Sequence, residues 1–275
     1  MKKKLFLCLS FSVLFFSCSD NDQQNGSGTE LVKIKTTSYY MGETESSGET
    51  LFENGKSISY NVYKGDGTLK ETGTYTYDND LLTSLKGFNV QGQQIYSSDY
   101  LYDDLGRLTQ KTFSDIDYSG VTNYTFNTDA TITATTQSSG SSYSRTFSLN
   151  ADNLIYKEER AVNNYVYEVT YEGSNIVKTK DGNSTRTYEY LSSPLPQNGF
   201  ANPWGINDNY KANVVLRGGQ LDAAENYYAT KYVSKINSVG MHITYEHTFN
   251  DQGLLIKTLS YYNGELEGKT EYFYN

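Results

Sequence analysis

From about residue 30 onward, large apolar residues fall at alternate positions with Thr, Ser, Lys and Glu between them. That period of two is the pattern of a half-buried β-strand. The clearest stretch is Tyr100-Leu101-Tyr102-Asp103-Asp104-Leu105-Gly106-Arg107-Leu108. Alternation places Tyr100 and Tyr102 on one face and Leu101 on the other. An acidic turn follows, with Gly106 able to take positive φ, and Leu108 opens the next strand. Related stretches begin at Tyr75, Tyr124, Phe147, Val169, Tyr188 and His247. Anchored on the second aromatic-type position, they fall at 77, 102, 126, 149, 171 and 190, at intervals of 25, 24, 23, 22 and 19. Two strands of about eight residues and two turns fill such a length, so each repeat is one hairpin. Asn54-Gly55, Gly65-Asp66-Gly67 and Asn263-Gly264 add turn signals.

The pattern predicts an all-β chain, an antiparallel meander of tandem hairpins with roughly twelve to sixteen strands. Its faces alternate apolar with polar, as in a sheet with one buried and one wet side. A transmembrane barrel needs an outward apolar band about 25 Å tall, and the outward positions are too polar for one. The expected form is a curled sheet or a closed soluble barrel.

The repeat breaks between Tyr190 and Phe249. All three prolines and the single Trp of the chain lie in Leu191 to Gly205. That composition predicts a long loop within an insertion of about 191–232, with a short helix around Asp222 to Tyr228. Long loops in compact domains are often functional. Phe200, Trp204 and Tyr210 form either an aromatic ligand platform or a plug capping one end of the sheet.

The N-terminus reads differently. Lys2, Lys3 and Lys4 precede the apolar run Leu5 to Ser17, then comes Cys18. This is the layout of a secretory signal. Thirteen residues are too few to span a bilayer, which takes about 20 in a helix. Ser17-Cys18 resembles a bacterial lipobox, with Phe15 where Leu is usual. It implies cleavage before Cys18 and lipid attachment to it. Residues 18–29 read as the lipidated Cys and a polar linker, and 30–275 as one β-repeat domain. Ser19-Asp20-Asn21-Asp22 resembles the acidic export signal of Bacteroidota surface lipoproteins. The expected location is the outer membrane, on the cell surface or else its periplasmic face.

Composition sharpens this. Removing residues 1–17 takes away three Lys and no acid, so net charge falls from −9 to −12. With no basic stripe, nucleic acid is not an expected partner. The only cysteines are Cys8 and Cys18, which leaves no disulfide or thiolate metal site in the mature chain. Twenty-seven Tyr with three Pro suit a strand-rich fold.

The Tyr100 to Leu108 stretch looks like the YD repeat of RHS-type proteins, Y-x-Y-D-x-x-G-R-L. From about residue 30 to 275 the chain resembles Bacteroidota lipoproteins of unknown function with such degenerate repeats. Asn202-Pro203-Trp204, Thr230 to Ile236 and Phe249 to Leu254 are further points of similarity. The resemblance implies a porin-like fold and a surface location, and no activity.

No catalytic set emerges. His242 and His247 are five apart, so on one strand they face opposite sides. The carboxylate pairs Asp78/Asp80, Asp103/Asp104 and Asp115/Asp117 lack the calcium-loop pattern and suit turn caps. No cofactor and no metal is expected. The expected function is a non-enzymatic binding or structural module, tethered to the membrane through Cys18. The sequence leaves its ligand open, a glycan or a protein being the candidate partner. The alternatives are a glycan-binding protein that uses the Trp204 loop, a carrier holding an apolar ligand in a hollow barrel, and a glycan-active hydrolase with paired carboxylates. The sequence leaves oligomeric state open.

Overall fold

The computed structural model describes residues 30–162, 164–194, 212–218 and 231–275. Among them are eighteen strands and one short helix. The first nine strands are β1 Leu31–Tyr40, β2 Glu43–Glu53, β3 Lys56–Lys64, β4 Leu69–Asp78, β5 Leu81–Asn89, β6 Gln94–Tyr102, β7 Leu108–Asp115, β8 Ser119–Phe126 and β9 Thr131–Ser138. The rest are β10 Ser141–Leu149, β11 Ile155–Arg160, β12 Tyr165–Glu172, β13 Asn175–Asp181, β14 Ser184–Pro194, β15 Lys231–Ser238, β16 Met241–Phe249, β17 Leu255–Tyr262 and β18 Glu265–Tyr274. The helix, α1, is Ala212–Gly218.

Every strand pairs antiparallel with its neighbours in sequence, and β18 pairs back onto β1 from Leu31↔Tyr274 to Ser38↔Gly268. The sheet is therefore a closed up-and-down barrel, and closure leaves no free edge. Two expectations need correction. The strands number eighteen, because the first and last segments, outside the clear repeats, also pair. The strand after Tyr188 continues through Leu191 to Pro194, which faces Lys231 across an irregular register. A proline is tolerated at such a strand end. The described helix lies at 212–218, and residues 222–228 lie outside the described residues.

The repeat has a three-dimensional meaning. At one end of the barrel the anchors meet the first residues of the next strands in direct register. Tyr77 faces Leu82, Tyr102 faces Leu108, Phe126 faces Ile132 and Leu149 faces Ile155. Tyr171 faces Ile176, Tyr190 faces Val233 and Phe249 faces Leu255. Phe52–Ser57 and Tyr274–Leu31 complete nine such pairs. Eight of the nine adjoin a β-bulge, which adds the bend that barrel closure requires. Four tyrosines of this belt also donate to the preceding strand: Tyr102 to the Leu82 carbonyl (2.7 Å), Tyr171 to Ile155, Tyr190 to Ile176 and Tyr274 to Leu255. The aliphatic partners Leu82, Leu108, Ile132, Ile155, Val233 and Leu255 are wholly buried.

The longer turns below the belt share one construction, whereas 54–55, 79–80 and 173–174 are two-residue turns. Asp103, Asn150 and Asn250 each accept, through Oδ1, the backbone NH groups two and four residues on. The fourth turn residue has positive φ: Gly106, Asn153, Gly253 and, in the Asn127 turn, Ala130 at 58°. Asp and Asn do this work equally well, which is why the motif drifts so far from its acidic form.

The outer wall is polar. Thr72, Thr74 and Thr76 line one strand, and lysine–carboxylate pairs sit mid-wall: Lys33–Glu49, Lys157–Glu159, Lys180–Glu168, Lys235–Glu189 and Lys269–Glu271. A lysine facing lipid at midplane costs about 2–4 kcal/mol. The wall is thus the inverse of a membrane-spanning barrel, aromatic inside and charged outside. Among the described residues, no helix is long and apolar enough to cross a membrane.

Candidate functional site

Eighteen strands enclose more space than wall side chains fill. The lumen is therefore the place to look for a site, and its two ends differ. At the belt end α1 lies inside the barrel, with Ala212, Val215 and Leu216 buried among Leu82, Tyr100, Leu108 and Tyr124. The last carbonyls of a helix lack partners within it. Here the wall supplies them: Tyr124 donates to Leu216 O at 2.8 Å and Lys111 Nζ to Arg217 O at 2.7 Å. Arg217 Nη1 in turn donates to Tyr102 Oη at 3.0 Å.

Above the helix the inner wall of β7, β10 and β11 carries cations. Arg145 and Arg160 face each other across β10 and β11. Glu158, 1% exposed, lies between them, its Oε1 2.7 Å from Arg160 Nε and 3.6 Å from Arg145 Nη1. Burial, helped by the nearby Arg145 charge, pushes Lys111 down to about 8. A buried carboxylate held between two guanidiniums gives up much of its hydration to be there, which makes the cluster structural first.

A second feature faces the lumen on β3 to β6. Tyr60, Gly73, Gly87 and Tyr96 stand side by side on four consecutive strands, in direct register. The two rings lean inward over the two glycines. A Cβ on Gly73 would lie 1.9 Å from Tyr60 Cε1, and one on Gly87 2.3 Å from Tyr96 Cε1. Only glycine leaves that room. The tyrosine hydroxyls bond to each other, and Tyr60 Oη also donates to Glu71 Oε1 at 2.7 Å. Burial, then these two bonds, raise the Tyr60 phenol well above its usual range. Tyr75 meets the Tyr60 ring edge-on, centroids 5.9 Å apart. Tyr60, Tyr96 and Glu71 remain half-buried. A similar seat recurs nearby, where Phe113 Cζ would lie 2.6 Å from a Cβ on Gly120.

Cys18, Phe200, Trp204 and Tyr210 lie outside the described residues. Of the insertion, 191–194 and 231–232 belong to β14 and β15, and α1, the described part between them, packs inside the barrel. The two histidines face opposite sides. His247 points inward, its Nε2 donating to Val233 O (2.8 Å) and its Nδ1 accepting from Thr258 Oγ1 (3.0 Å). Burial holds its pKa below the usual value against that first bond. His242 points outward to Asn237. The turn acids act as caps: Asp115 accepts from the NH groups of Asp117 and Tyr118, and Asp80 pairs with Lys56 at 2.8 Å. Sequence reasoning missed Tyr60, Tyr96 and Glu71. The available signal was glycine inside a strand pattern, at Gly73 and Gly87, where backbone must be approached closely.

No family model matches the chain, and no curated protein matches it. Among solved structures it is similar to a porin-like protein from Bacteroides uniformis, at 14% identity and a TM-score of 0.46, covering 91% of this chain and 100% of that one. It is also similar to a chain of the TcdB2-TccC3-Cdc42 complex, at 13% identity and a TM-score of 0.29, over 82% of this chain and 11% of the other. At such identities and scores these likenesses say nothing about activity.

Proposed function

We propose that the protein is a lipid-tethered, non-enzymatic binding module of the outer membrane, displayed at the cell surface, whose compartment for ligand is the barrel lumen. The observation that carries this is the inverted wall: charged pairs outside, aromatic rings and a cation cluster inside. Such a barrel has no use for its interior as a membrane pore. The N-terminal signal pattern and the Ser17-Cys18 lipobox support the tether. Asn275 N bonds to Glu30 O at 2.9 Å, so residue 30 leaves the barrel at the belt end. A tether running from there points the half-open end away from its anchor. The carrier of an apolar ligand is the weaker reading, because α1 occupies the apolar part of the lumen.

The test is palmitate labelling, membrane fractionation and surface proteolysis of the full chain and its Cys18→Ala variant. The expected result is a labelled, outer-membrane, protease-accessible protein and an unlabelled variant. An unlabelled wild type, or one found wholly in the inner membrane, would overturn the reading.

A further inference from the structure

We infer that the Tyr60–Tyr96 pair, with Glu71 beside it, is a stacking subsite for a neutral saccharide inside the lumen. The inference rests on the proposed role of the lumen and names the ligand class for it.

Three observations carry it. The first is that the seat is built. Two adjacent strands both give up a side chain, at Gly73 and Gly87, and a tyrosine from the flanking strand fills each vacated space. Glycine in a strand interior weakens it, so two in register, each roofed by an aromatic ring, place the rings at a stability cost. The second is the setting. The rings are half-buried and lie on the inward register, so their free surface faces the lumen. The hydroxyl-to-hydroxyl bond and the Glu71 contact fix both rings before any ligand arrives, which lowers the ordering cost of binding.

The third is the balance of polar groups. A carboxylate accepts about four hydrogen bonds, and Tyr60 supplies one to Glu71. The subsite is rich in acceptors and negatively charged. Its ligand brings hydroxyl donors, an apolar face to lie on a ring, and no negative charge. A pyranose meets all three. A nucleotide or an acidic glycan brings its own anion against Glu71. A quaternary ammonium needs rings on several sides of it, whereas these two lie side by side along the wall.

The experiment is calorimetric titration of the purified full-length protein, in an amine-oxide detergent, with maltohexaose, cellohexaose and xylohexaose. Saturable binding of at least one is expected. Tyr60→Ala and Tyr96→Ala should each weaken it at least tenfold. Gly73→Ala should match them, because it evicts the Tyr60 ring while keeping every platform residue. Glu71→Gln, which is isosteric, should weaken it about fivefold. Melting temperature serves as the folding control; should the alanine variants unfold, Glu71→Gln and Tyr60→Phe decide alone. The subsite is refuted if none of the three sugars binds, or if binding is unchanged in folded variants. Displacement of the sugar by millimolar tetramethylammonium, or tighter binding of a hexameric galacturonate, refutes the neutral-sugar assignment. None of these failures touches labelling or surface exposure, so a lost subsite and a lost surface role are told apart.

Discussion

The two ends of the barrel are made of the same strands and obey different rules. At the belt end the inward positions form nine facing pairs, all but Phe52–Ser57 made of Leu, Ile, Val, Tyr and Phe alone; most of the aromatic anchors are half-buried and the aliphatic partners are buried. Toward the other end the inward positions of the same strands become Ser98, Ser138, Gly120, Arg160 and Tyr96. Its turn tips carry exposed apolar residues, Met41, Ile116, Val162 and Val239 among them. The difference teaches that the repeat encodes closure and packing at one end only. The other end is freed from packing and can vary.

The comparison can be broken most sharply in the buried layer. Phe147→Ala should cost about 3–5 kcal/mol in urea unfolding. Glu158→Ala should cost a similar 3–5 kcal/mol, because it strands Arg145 and Arg160 in the wall. Ser98→Ala, on the inward face of the other half, removes a hydroxyl bonded to Tyr100 and should cost about 1 kcal/mol. Equal losses at Phe147 and Ser98 would mean that the ends do not differ.

The turn code gives smaller effects. Asp103→Ala removes a side chain that caps two NH groups and pairs with Arg107 at 2.7 Å. It should cost about 1 kcal/mol, while Asp103→Asn should keep most of that. Desolvation raises the Asp103 pKa, but the Arg107 and backbone bonds outweigh it and the net shift is down. A depressed carboxyl stabilises above its unfolded pKa and loses that contribution as pH falls through the folded one. The gap between wild type and Asp103→Asn should therefore close in acid. Ala130→Gly should gain about 0.5–1 kcal/mol by relieving a left-handed residue.

The subtlest effect is alkaline. Lys111 has a folded pKa of about 8, below its ordinary 10.5. Between these values the unfolded chain binds more protons, so stability from this site rises with pH. Buried phenols such as Tyr100, raised to about 12 by burial, act oppositely above pH 10. The difference curve between wild type and Lys111→Met isolates the lysine. A flat curve from pH 8 to 10 would show that Lys111 is not buried as described.

Much of the fold was legible because the belt is written in large residues at fixed spacing. Tyr75-Thr76-Tyr77 and Tyr100-Leu101-Tyr102 announce strands, and Asp103 to Gly106 announces its turn. Closure was left open because the Leu31–Tyr274 pair joins segments with no shared turn. Strand number was undercounted because β2, with Gly48 and few apolar residues, carries weak alternation. The Tyr60–Tyr96 pair was invisible as a pair: 36 residues separate them, and only register brings them to the same row. The alternation did place both on strands, yet it could not say which tyrosines fill a core and which face a lumen.

The seam between β18 and β1 sets an order on biogenesis. Eight of the nine belt pairs join strands consecutive in sequence, seven of them across a short turn and Tyr190–Val233 across the insertion, and can form as the chain is made, N-terminal part first. The ninth joins Leu31 to Tyr274, nearly the whole domain apart. Until the last ten residues arrive, β1 and β17 each offer an unpaired row of backbone groups, the surface on which strands aggregate. The closing seam thus acts as a completeness check. A truncated or stalled chain should remain sticky and exposed to proteases, whereas a finished one removes both hazards in a single step.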